Sequence, residues 1–111
     1  MATYVCRTSG NFGPTWMSEN IERVTGFPSK RFVEDEQFWA SRIHPDDHER
    51  VLKEFEAILN KGSIVIEYPW QCADSSYHWF LDQAVLVGDE ESKPKEIIGT
   101  WLDITDRKQA E

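Results

Sequence analysis

Cysteine is nearly missing from this chain. Cys6 and Cys72 are the two in 111 residues, too few and too far apart for a disulfide framework or a zinc site, and their scarcity points to a reducing, cytoplasmic setting. Long apolar runs are absent. None approaches the roughly 20 residues that a spanning helix needs, and no charged-then-apolar leader opens the chain, so the expectation is a soluble domain without membrane contact. Cations are in the minority: 12 Lys and Arg stand against 20 Asp and Glu, a net charge of −8. That balance argues against nucleic acid, whose phosphate backbone draws its affinity from Lys and Arg. No Pro/Gly-rich linker, internal repeat or low-complexity tract divides the chain, which reads as one domain. Aromatic residues are plentiful, at 13% with five Trp, six Phe and three Tyr. Each ring buries roughly 150–250 Å², enough to build a sturdy core or to line a cavity.

The hydrophobic pattern divides the chain into three stretches. Around Ser9-Gly10-Asn11-Phe12-Gly13-Pro14, a chain reversal, Tyr4–Thr8 and Thr15–Ser18 read as a short hairpin. Between Glu19 and Lys61 the pattern is helical. Val51, Leu52, Phe55, Ile58 and Leu59 form one stripe of a helix over Asp46–Lys61. His44-Pro45-Asp46-Asp47 supplies its start and Lys61-Gly62 its stop. Short helical turns are expected at Asn20–Val24, Ser29–Val33 and Gln37–Ile43. After Gly62 the period becomes two: Ile64, Ile66, Tyr68, Trp70 and Cys72 share one strand face. Asp74-Ser75-Ser76 then turns the chain into a second strand, Tyr77–Val87, followed by a charged loop at Gly88–Lys95 and a third strand, Glu96–Ile104. The tail begins another helix. The elements describe an α+β domain with an antiparallel sheet.

Four stretches in this order resemble the PAS domain, a sensor module of histidine kinases, cyclic-dinucleotide enzymes and transcription regulators. Asn20–Phe27 (NIERVTGF) is similar to its short helix with a Thr-Gly-aromatic turn. Phe38-Trp39 with Ile43–Asp47 (IHPDD) resembles its long-helix entry, and Glu67-Tyr68 with Tyr77-His78-Trp79 its central hairpin. Gly99–Glu111 (GTWLDITDRKQAE) resembles its last strand and exit. The resemblance implies a five-stranded sheet in the order 2-1-5-4-3 with helices on one face. It also implies a sensor domain over residues 1–105 and the start of an output linker at 106–111. In that strand order Cys6 and Cys72 lie three strands apart, roughly 14 Å at ~4.8 Å per step, beyond disulfide reach. Two positions depart from the family pattern. Pro69 replaces the Arg that often follows Glu-Tyr and implies an edge or bulge; Asp74-Ser75 stands in place of Asp-Gly.

Candidate sites divide between chemistry and packing. His44, Asp46, Asp47 and His48 could suggest a metal, but neighbours on a helix point roughly 100° apart, and the same residues suit a helix cap. A flavin photoadduct needs a Cys just after the Thr-Gly-aromatic turn, and Ser29–Ile43 contains none. Heme needs an axial ligand on the helix wall, yet His44, His48 and His78 fall off the apolar stripes. No Ser-His-acid set, Gly-rich phosphate loop or paired-carboxylate site stands out, so a regulatory rather than catalytic domain is expected. The family alignment implies Ile66, Tyr68, Trp70, Phe80, Asp82, Ala84, Gly99 and Trp101 on the sheet face toward the helices. Phe27, Trp39, Leu52 and Phe55 would close the other wall of a candidate small-molecule pocket. A filled core and an open pocket both satisfy these residues. Asp82 is the polar member and, if buried, needs a partner such as Arg7. Trp79, Leu81, Val85 and Val87 make the opposite sheet face apolar as well, the mark of an interaction site, here expected to form a homodimer centred on Trp79 and Leu81. The resemblance implies a sensory module that binds a small molecule or a partner domain and relays the change through Asp103, Ile104 and Thr105. The alternative is a ligand-free dimerisation spacer.

Overall fold

The computed structural model describes residues 1–88 and 95–110. Ten elements follow in order: β1 (Ala2–Cys6), β2 (Pro14–Met17), α1 (Ile21–Thr25), α2 (Ser29–Glu34), α3 (Phe38–Ser41), α4 (Pro45–Lys61), β3 (Ser63–Gln71), β4 (Tyr77–Val87), β5 (Glu96–Asp103) and α5 (Thr105–Ala110). The strands form one antiparallel sheet in the order β2-β1-β5-β4-β3, as the resemblance implied. Residues 89–94 of the expected charged loop lie outside the described residues.

Local chemistry sets α4. Pro45 occupies its first position, where a missing N–H costs nothing. The His44 side chain accepts the Asp46 N–H through Nδ1 at 3.1 Å, so the cluster that might have suggested a metal serves as a cap. At the far end Gly62 takes φ 83° and returns its N–H to Ile58 O, a left-handed stop that a side chain would oppose. Val51, Phe55 and Ile58 are buried against the sheet, but Leu59 is 47% exposed. At about 100° per residue Leu59 lies roughly 80° round from Val51, at the margin of the buried arc, where Leu52 is also only half-buried.

The first hairpin sits earlier than its turn signals suggest, beginning at Ala2. Ala2 pairs with Trp101 of β5, a partner far along the chain that local patterns do not reveal. Pro69 is accommodated because β3 is an edge strand. Beside it the α3–α4 junction closes that edge: His44 N–H donates to Pro69 O at 3.1 Å and Gln71 N–H to Arg42 O at 2.9 Å. Cys6 and Cys72 are both buried and free.

Candidate functional site

Period-two alternation sends Tyr4, Tyr68, Trp70, Phe80, Asp82 and Trp101 to the inner sheet face, where all are buried. Asp82 is central. Tyr4 Oη donates to its Oδ1 at 2.5 Å and Tyr68 Oη to its Oδ2 at 2.6 Å. Tyr68 Oη in turn accepts the indole N–H groups of Trp39 at 3.1 Å and Trp101 at 3.0 Å, while Trp70 Nε1 donates to Trp39 O at 2.9 Å. Burial pushes the Asp82 carboxyl up to about 6, with the two phenol hydrogen bonds opposing the rise. Burial also raises both phenols, which the Asp82 charge raises further. The expected partner Arg7 is elsewhere, with Nη1 on Gly13 O at 3.4 Å. Its position has the opposite parity to Tyr4 and Cys6, so it cannot face inward beside them.

Rings occupy the space between this network and the helices. Phe80 stacks on Trp101 at 4.0 Å, Phe32 stacks on Trp70 at 5.5 Å, and Trp70 meets Trp101 edge-on at 5.1 Å. What is left is a void of about 10 Å³, lined by Tyr4, Cys6, Phe12, Pro14, Met17, Trp39, Phe55, Asp82 and Trp101. That is the lower limit for one water. Four of the candidate pocket residues, Trp39, Phe55, Asp82 and Trp101, therefore border free space. Ile66, Tyr68, Trp70 and Phe80 are packed away from it, and Phe27 and Leu52 are half-buried at the margin. Phe27 lies beneath the Arg42 guanidinium, 4.6 Å from its ring centroid. The void sits toward the first hairpin, so the alignment missed Tyr4, Cys6, Phe12, Pro14 and Met17. The alternation of Ala2, Tyr4 and Cys6 was the signal that could have placed Tyr4 inside. Of the three His, His44 caps α4, His48 is half-buried on its first turn and His78 pairs with Asp103.

A second cluster fastens the exit helix α5. Asp103 Oδ1 accepts the Thr105 N–H at 2.9 Å and hydroxyl at 2.6 Å, and its Oδ2 lies 2.7 Å from His78 Nδ1. Burial alone would raise Asp103, but the Thr105 and His78 bonds outweigh it and hold the carboxyl below its ordinary value. Trp79 N–H donates to Thr105 Oγ1 at 3.0 Å, and Ile104 N–H to Trp79 O at 2.8 Å. Farther along α5, Arg107 and Lys108 each reach Glu67 at 2.7 Å, and Lys108 Nζ stands 4.9 Å from the Trp79 ring centroid.

This docking bears on the outer sheet face. Trp79 and Leu81 are half-buried, with Lys108 over the first. The open apolar surface lies farther along the strands. Trp16, Val5, Ile98 and Val85 pair in one row across β2, β1, β5 and β4. Trp16 is 50% exposed, and Val65 nearby on β3 is 68% exposed. Val87 is half-buried.

Residues 14–101 match the model of the PAS fold family. Over 108 residues the chain is 31% identical to the two-component sensor PprA of Pseudomonas aeruginosa, covering 96% of this chain and 12% of that protein. It is 33% identical over 98 residues to the peroxide stress-activated histidine kinase mak1 of Schizosaccharomyces pombe, covering 87% of this chain and 6% of that one. Among solved structures, the N-terminal domain of a diguanylate cyclase with PAS/PAC sensor from Marinobacter aquaeolei superposes with a TM-score of 0.80. That pair shares 24% identity over 96% of this chain and 97% of the other. A sensory box histidine kinase/response regulator from Burkholderia thailandensis gives 0.75 at 22% identity, over 98% and 80%. The structural likenesses establish a common fold. Among the described residues no helix is long and apolar enough to cross a membrane.

Proposed function

The chain belongs to the PAS fold family, and on that premise we propose that it is a regulatory relay module of a larger cytoplasmic signalling protein such as a histidine kinase. Its working part is the joint between sheet and exit helix. One observation carries this reading: Asp103 and Thr105 bind α5 to the backbone of Trp79 and the ring of His78 on β4, the strand that also holds the buried Asp82. A shift of β4 is thus transmitted to whatever follows α5, a population shift between two arrangements of the joint. The filled interior supports relay without a resident ligand over storage of one.

Replacing Thr105 with Val removes its hydroxyl from both Asp103 and Trp79 N–H while keeping its shape. Amide hydrogen exchange across 105–110 should quicken roughly tenfold, as expected for the loss of about 1.4 kcal/mol of hydrogen bonding, with the sheet amides unchanged. Unaltered exchange in α5 would remove the joint as the relay.

The outer face serves self-association in this proposal, with its centre moved from Trp79 and Leu81 to the Trp16–Val5–Ile98–Val85 row. In sedimentation velocity at high micromolar concentration the wild-type domain should dimerise. Ile98→Glu should return it to monomer more completely than Leu81→Glu, because α5 already lies along the β4 end that carries Leu81. A wild-type domain that sediments as monomer contradicts this role for the face.

A further inference from the structure

The two phenols that meet Asp82 are unequal partners. A phenol oxygen has one proton to donate and two lone pairs that accept. Tyr68 uses all three: it donates to Asp82 Oδ2 at 2.6 Å and accepts the indole N–H groups of Trp39 and Trp101. Tyr4 donates to Asp82 Oδ1 at 2.5 Å and makes no other side-chain hydrogen bond among the described residues. Its two lone pairs are open.

The groups around this acid leave its charge to the solvent proton. From β1 it is faced by Tyr4 and Cys6, and from β3 by Tyr68; burial raises all three, so each keeps its proton at neutral pH. Trp101 of β5, Trp39 of α3, Phe55 of α4, and Pro14 and Met17 of β2 border the same space and carry no charge. Among the described residues no cation contributes to the balance at Asp82.

We propose that Asp82 is a proton-input site whose protonation turns Tyr4, and not Tyr68, from hydrogen-bond donor to acceptor. A protonated carboxyl must donate its O–H, and Tyr68 could accept it only by expelling an indole. The proton therefore settles on Oδ1 and is given to Tyr4 Oη, while Oδ2 goes on accepting from Tyr68. The Tyr4 hydroxyl proton swings about the C–O bond, away from the carboxyl and toward the small void that Tyr4 lines. One proton enters from solvent and no covalent bond other than the new O–H changes. The link from β4 to β3 keeps its sense, whereas the link from β4 to β1 reverses and loses the assistance of the charge. Tyr4 lies across Gly99 of β5, the strand that runs into Asp103 and α5. Output through α5 rests on the relay reading above; the reversal at Tyr4 does not.

NMR of protein labelled with 13C at the tyrosine Cζ and aspartate carboxyl carbons tests this between about pH 8 and about pH 4.5. Asp82 should titrate near 6, and Tyr4 Cζ should follow with the same midpoint and a much larger shift than Tyr68 Cζ. The variants sharpen the distinction. By bond length alone Tyr4→Phe should raise the Asp82 midpoint at least as far as Tyr68→Phe. The reversal predicts the opposite order: Tyr68→Phe removes a donor to the charged form, whereas Tyr4→Phe also removes the acceptor of the neutral form. The midpoint should stand about one pH unit higher in Tyr68→Phe, a tenfold difference in proton affinity. If either variant fails to fold, the wild-type titration decides. An Asp82 that stays ionised throughout, one that titrates without moving Tyr4, or a midpoint raised as far by Tyr4→Phe as by Tyr68→Phe overturns the switch. Asp82→Asn, whose amide donates to Tyr4 as the protonated acid does, should give α5 at high pH the exchange protection that wild type shows at low pH. Unchanged α5 protection in that variant, with Tyr4 still following Asp82 in wild type, overturns the tie to the relay and leaves the switch standing.

Discussion

Gly99→Ala is expected to be among the most destabilising single-methyl changes available in this protein, lowering stability by about 3 kcal/mol. Gly99 pairs with Tyr4 on one side and Ala84 on the other, two small residues side by side that leave room for the Tyr4 ring to lie across β5. A Cβ at Gly99 would stand 2.7 Å from Tyr4 Cε2 and closer still to Cζ and the hydroxyl. Tyr4 is buried among packed neighbours, so its ring has nowhere to retreat without leaving Asp82. Overpacking costs about 1–3 kcal/mol, and a lost hydrogen bond to a charged group about 1.5–3 kcal/mol. For a domain of this size the sum corresponds to a fall in Tm of roughly 15 °C. Thermal unfolding of Gly99→Ala, Tyr4→Phe and the double variant distinguishes the causes. Because the two single changes break the same hydrogen bond, their effects should fall well short of additive. Strict additivity would show that the glycine matters for some reason other than Tyr4.

The second large effect is on the dependence of stability on pH. Asp82 titrates near 6 in the folded chain and near 3.9 in an unfolded one, so the native state holds the proton more tightly. Stability from this group is fully present below about pH 4 and is lost as pH rises through about 6, on the order of 3 kcal/mol at ~1.4 kcal/mol per pH unit. The sign is opposite to that of Asp103 and Glu67. Asp103 is held low by its Thr105 and His78 bonds against the effect of burial, and Glu67 is held low by Lys108, so both favour folding as pH rises. The comparison with Asp82→Asn isolates the buried acid, because every other group is common to both proteins. Urea unfolding between pH 4 and pH 7 should show wild type losing stability relative to the Asn variant. Parallel curves would mean that the two phenols hold Asp82 ionised throughout.

Much of this molecule is legible in its residues. The helical stretch before Gly62 and the period-two stretch after it mark the change from helices to sheet, and Pro45 and Gly62 set the ends of α4 by local chemistry alone. Alternation groups Tyr68 with Trp70 and Phe80 with Asp82, the family resemblance implied that these and Trp101 face the helices, and all five are buried there. The polar tail from Asp103 reads as the start of a helix, and α5 begins at Thr105. Periodicity fails where the answer depends on a partner distant in sequence. Asp82 finds Tyr4, 78 residues away, because β5 lies between their two strands and Gly99 leaves the gap that the phenol spans. No local pattern contains that geometry.

The same limit explains the outer face. Alternation puts Trp79, Leu81, Val85 and Val87 on one surface, but the return of Arg107 and Lys108 to Glu67 brings α5 against one end of it. The exposed row therefore runs from Trp16 to Val85. Leu59 was drawn into the helical stripe by its type and stands at its margin by its angle. What the residues determined by themselves was the identity and order of the elements and which side chains of a strand share a face, because these follow from dihedral preference and periodicity within a few residues. What the tertiary structure decided was which faces are covered, which rings fill the interior and which hydroxyls meet the buried acid. Those depend on strand register and helix rotation, and so on contacts between residues far apart in the chain.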